Sequence, residues 1–108
     1  MRRVMIVTTT QGIPGREITE ILGLARGNSV RARHAGRDIM AGLRNIVGGE
    51  ISEYAKLQAE TREMATRRMI QFAESLGADA VVGIRYTTSM ITSGASEILA
   101  YGTAVKLS

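Results

Sequence analysis

A chain of 108 residues is one domain by length, and it carries 14 lysines and arginines against 10 acids, a formal charge of +4. No cysteine occurs, which excludes disulfides, thiolate nucleophiles and thiolate metal sites together. The opening MRRVMIVTTT holds too short an apolar run for a signal peptide or a membrane span, so a cytoplasmic protein without a membrane partner is expected.

Apolar residues make up 44% of the chain and aromatic ones 4%, so the core must come from Ile, Val, Leu, Ala and methionine. Val4 to Thr9 is a β-branched run that reads as the first strand, followed by the loop Gln11-Gly12-Ile13-Pro14-Gly15. Glu17 to about Val30 reads as a second strand with apolar residues on both parities, and Gly23 and Gly27 suggest a bend or bulge in it. A first helix is predicted over Arg37 to Val47, with Asp38 in its first turn and Gly48-Gly49 at its end.

The long helix is expected from about Ile51 to Leu76 and stops at Gly77. Tyr54, Leu57, Thr61, Met64, Ala65, Met69, Phe72, Ala73 and Leu76 form its apolar stripe, and Glu53, Lys56, Glu60, Glu63, Arg67 and Glu74 lie mainly opposite. Glu63 and Arg67 stand at i, i+4 in the favourable order, and Arg68 beside the stripe calls for a carboxylate or carbonyl partner, most simply across a subunit contact. Ala80 to Ile91 and Glu97 to Leu107 read as a hairpin. In its second strand Leu99, Tyr101, Thr103, Val105 and Leu107 are assigned to a helix-covered core. Ile98, Ala100, Gly102 and Ala104 are assigned to a flat surface that another backbone can approach.

These elements assemble most simply as a single α+β domain over residues 1 to 108, a four-stranded, antiparallel-rich sheet with two helices inserted between its halves. Two helices cannot cover both faces of such a sheet, so the apolar character of both parities predicts a homo-oligomer.

Three segments are too particular in composition to be filler: RARHAGRDIMAGLRNIVGGEISEY from Arg31 to Tyr54, GADAVVGIRY from Gly77 to Tyr86, and ILAYGTAV from Ile98 to Val105. With VTTT from Val7 to Thr10 where a first strand belongs, the chain resembles the YbjQ-like family, small bacterial and archaeal proteins of uncharacterised activity described as heavy-metal-binding. The resemblance implies compact α+β subunits assembled as closed rings, typically pentamers, and marks Arg31, Arg33, His34, Arg37 and Glu50 as motif residues.

The chemistry legible in the residues is sparse. His34 is the only histidine, which excludes a His-His metal pair within one chain, although a ring would gather several copies. Its neighbours Arg33 and Arg37 favour a role in capping a helix or pairing across an interface. Glu50 and Glu53, at i, i+3 near a helix start, suit a hard cation or a site completed by a neighbouring subunit, and equally suit the helix dipole. His34, Glu50 and Glu53 are therefore the weak metal candidates, and a divalent metal is the one cofactor with any support.

The methionines lie on separate elements and read as core filling, and the glycines form no nucleotide fingerprint. Five arginines from Arg26 to Arg44 suit a small anion, while the lack of stacking aromatics beside them argues against nucleic acid. No nucleophile, base and orienting group occur together, so an enzyme is not expected. The reading is a cytoplasmic homo-oligomer, a pentamer by the resemblance, with Arg33, His34, Arg37 and Glu50 binding a metal ion or small ligand at subunit interfaces. The alternatives are a scaffold without ligand, or polyanion binding through the arginine-rich segment.

Overall fold

A computed structural model describes residues 4–32, 49–92 and 95–108, with side chains described over 4–31, 55–91 and 95–108. Its elements are β1 (Ile6–Val7), β2 (Ile18–Ala32), α1 (Gly49–Ser75), β3 (Ala80–Thr92) and β4 (Ala95–Leu107). They form an α+β unit with one mixed sheet in the order β1-β3-β4-β2. The β1–β3 pair is parallel, while β2–β4 and β3–β4 are antiparallel. The helix enters between the two halves of the sheet, as the sequence predicts; the expected first helix, Arg37 to Val47, lies outside the described residues.

Which face of the sheet meets the helix follows from small residues. The register sets Ala25 opposite Gly102, Gly27 opposite Ala100 and Ser29 opposite Ile98, and these positions are buried. From α1, Thr61, Ala65, Met69 and Ala73 recur every fourth residue and are fully buried. Ala25, Ala65, Met69, Ala73, Ile98, Ala100 and Ala104 share one core cluster. The expected assignment of β4 faces is thus inverted with respect to the helix: the even-numbered residues from Ile98 to Ala104 lie under it, and Leu99, Tyr101 and Thr103 are only half-buried on the far side, while Val105 and Leu107 are buried as expected but in a separate cluster.

The physical reason is the closeness of the helix. A β-carbon placed on Gly27 would overlap the Met69 nitrogen and the Ala65 carbonyl oxygen and lie 2.7 Å from the Arg68 carbonyl carbon. The backbone that approaches the flat surface is therefore the chain's own helix. Gly27 keeps regular register and is no bulge; the irregularities sit between Ile18 and Glu20 and between Ile21 and Gly23, where Gly23 has φ of 137°. A second cluster, Ala80, Val82, Val105 and Leu107 with Ile6 and Ile13, closes the sheet end near β1.

The helix stop is as predicted, with Gly77 at φ 78°. Its N–H reaches the Glu74 carbonyl at 3.0 Å and that of Ala78 the Ala73 carbonyl at 3.1 Å, a Schellman pair that satisfies two terminal carbonyls. The chain then re-enters the sheet at Asp79, whose Oδ2 accepts the Leu107 N–H at 2.9 Å.

Long strands and a long helix draw the molecule out. Its extents are 54 × 27 × 23 Å and its radius of gyration is 17.2 Å, against about 13 Å for a compact domain of 100 residues. Among the described residues no helix is long and apolar enough to cross a membrane.

Candidate functional site

The structure accounts for three of the four distinctive segments as framework. Residues 7–10 and 77–86 knit together at one end of the sheet: Thr8 N–H donates to the Val81 carbonyl at 3.0 Å, Gly83 N–H to Thr10 at 2.8 Å and Ile84 N–H to Thr8 at 3.1 Å. Gly83 takes φ 63° in a bulge, and Arg85 Nη1 spans to the Thr9 and Ile84 carbonyls at 3.2 and 2.8 Å. The segment from Ile98 to Val105 supplies the small-residue surface beneath α1. Of the fourth stretch, Arg31 to Tyr54, the described residues are Arg31 and Ala32 at the end of β2 and 49–54 at the start of α1.

Arg33, His34 and Arg37 lie outside the described residues. Glu50 and Glu53 fall in the first two turns of α1, one helical turn apart, as their spacing predicts. At the end of β2 lies a groove of about 450 Å³ lined by Arg31 and by Lys56, Ala59, Glu60, Glu63, Met64 and Arg67 of α1. The strand ends where the helix passes, so Arg31 comes to face residues more than 20 positions away.

Three cations and two carboxylates share this groove. Glu63 Oε1 and Arg67 Nε stand 3.8 Å apart with both side chains about two-thirds exposed, an i, i+4 pair that contributes little to stability. Arg31 and Lys56 supply positive charge beside it, and half-buried Met64 supplies an apolar contact. Such a surface suits a small ligand with an acidic group. Among the described residues no three His, Asp or Glu side chains gather as a metal site.

Sequence reasoning placed Lys56, Glu60, Glu63 and Arg67 on the polar side of the helix and did not join them to Arg31. The available signal was their spacing, which puts 56, 60, 63 and 67 along one helical face. Two further expectations are corrected. Arg68 is exposed and donates through Nη1 to the Asn28 carbonyl at 2.8 Å within its own chain, so its partner is a backbone carbonyl and no subunit contact is required. Met69 fills the core, but Met90 is 79% exposed, so the methionines do not all pack inside.

A family model described as "Putative heavy-metal-binding", the YbjQ family, matches residues 5–108. The chain belongs to that family. Family relatives named UPF0145 proteins include one from Archaeoglobus fulgidus, 57% identical over 107 residues with 99% of each chain covered. One from Methanosarcina acetivorans is 58% identical over 103 residues, 95% of this chain and 97% of the relative. A crystal structure from Pediococcus pentosaceus, a protein with unknown function of the DUF74 family, matches with TM-score 0.69 and 18% identity over 96% of this chain and 98% of that one. At that identity it shows the fold alone.

Proposed function

We propose that the protein is a non-enzymatic, cytoplasmic homo-oligomer, a ring of five by the family resemblance, that binds a small acidic ligand or a metal ion at its subunit junctions. The observation that carries this reading is the groove at the end of β2, where Arg31, two positions before Arg33 in the sequence, meets Lys56 and Arg67. A small elongated subunit supports the assembly: it exposes Ile21 at 71%, Leu24 at 53% and Val30 at 49%, apolar surface that self-association would remove from water.

Native mass spectrometry of untagged protein tests both halves at once. A ring with stoichiometric extra mass supports the reading and gives the ligand's mass; a bare monomer overturns it.

A metal ion is the reading favoured by the family's description, with His34, Glu50 and Glu53 as its donors, completed by a neighbouring copy. Calorimetric titration with zinc, nickel or copper tests it. His34→Ala and Glu50→Gln are expected to weaken any binding of the parent; unchanged binding in both overturns this donor set.

A further inference from the structure

The charges around the groove at the end of β2 fall into two groups. Glu63 and Arg67 stand 3.8 Å apart as an ion pair, while among the described residues Arg31, Lys56 and Glu60 take no ion pair or side-chain hydrogen bond. The order along the helix explains the difference. Glu63 precedes Arg67, the favourable sense for an i, i+4 pair, whereas Lys56 precedes Glu60, the unfavourable one.

The fold brings the three unpaired groups to one place. Arg31 pairs in register with Ser96, and the Ser96 hydroxyl reaches Gln58 Oε1 at 3.4 Å. Arg31 therefore stands level with the turn of α1 that carries Lys56 and Glu60. Those two are neighbours on one helix face, with β-carbons about 6 Å apart. Arg31 and Met64, both half-buried, complete this part of the groove.

Two cations and one carboxylate, none of them neutralised, select among ligands. A simple anion gains Arg31 and Lys56 but meets repulsion from Glu60, and a metal cation gains Glu60 but is repelled by the other two. A molecule carrying both charges satisfies all three. We propose that this groove binds a free α-amino acid with an apolar side chain, its carboxylate at Arg31 and Lys56, its ammonium group at Glu60 and its side chain against Met64. The two charged groups of such a ligand are joined through one carbon, short enough to bridge side chains one helical turn apart. The volume of about 450 Å³ lies within the range of small-molecule sites, about 300–1,000 Å³. The inference rests on the small-ligand half of the reading above, gives that ligand its charge pattern, and is independent of subunit count.

Calorimetric titration of the full-length protein at low ionic strength with L-leucine, N-acetyl-leucine and leucinamide is the test. Leucine is expected to bind, and each blocked analogue, lacking one of the two charges, to bind about tenfold more weakly or worse. Glu60→Gln is expected to weaken leucine about tenfold without weakening N-acetyl-leucine, and Arg31→Gln to weaken leucine without weakening leucinamide, both with unchanged circular dichroism. A purely structural role for these side chains would not produce that ligand-dependent exchange. N-acetyl-leucine binding as tightly as leucine, in the parent and in Glu60→Gln, overturns the zwitterion and leaves the acidic-ligand reading standing. Leucinamide binding as tightly as leucine overturns both for this groove. No binding of any of the three up to about 10 mM overturns the inference, while a retained mass in native spectrometry would still support the wider reading.

Discussion

At the scale of single residues, glycines set the tightest tolerances. Gly27 lies against helix backbone, where the colliding atoms are a main-chain nitrogen, oxygen and carbon that cannot turn aside. Gly102 is less confined: a β-carbon there would sit 2.7 Å from Val81 Cγ1 and 2.9 Å from the Val82 carbonyl oxygen. Gly27→Ala is therefore expected to destabilise by about 3 kcal/mol, at the upper end for overpacking, and Gly102→Ala by about 1–2 kcal/mol. Urea unfolding of both variants checks the order, and equal costs would contradict the helix-on-strand geometry. Asp79 belongs at the same scale. Its carboxylate accepts the Leu107 N–H at the turn from α1 into β3, so Asp79→Ala should cost about 1.5–3 kcal/mol in the same measurement.

At the scale of elements, the order and type of the main segments were legible in the sequence. The predicted Ile51-to-Leu76 helix is found over Gly49–Ser75, and the hairpin matches at both strands. Period and glycine position suffice for that. The face assignment of β4 was not legible, because its two parities are both apolar and only the partner decides between them. Large residues on one parity look like core by hydrophobicity, yet a helix docking through Ala65 and Met69 onto Gly27 selects the small ones. The site was legible only in part: the spacing of Glu50 and Glu53 shows in the sequence, but the meeting of Arg31 with Lys56 depends on how the strand and helix cross. Met69→Ala empties a fully buried position at that crossing and should cost about 2–5 kcal/mol by thermal or urea unfolding. Tyr86→Phe loses one exposed bond of 2.8 Å to Thr66 and should change stability by about 1 kcal/mol or less.

At the scale of the whole molecule, charge and shape set what partners are possible. A net charge of +4 spread over twelve arginines and two lysines invites polyanions, but the described cations are partly engaged: Arg67 with Glu63, Arg68 with Asn28, Arg85 with Thr9, and Arg26 over the Phe72 ring at 5.8 Å. Any nucleic acid retained at low salt should be released at physiological salt, with affinity falling steeply as counterions compete. A gel shift across a salt series checks this, and a complex retained at physiological salt would favour the polyanion alternative. One consequence of the Gly27 contact reaches beyond these tests. A layer joined by alanine, glycine and main-chain atoms has few gaps between large side chains, and such gaps are what collapse under hydrostatic pressure. The subunit should therefore unfold with a volume change near the small end of the usual range, about −20 mL/mol, and keep its fold at pressures that disrupt domains built on bulky cores.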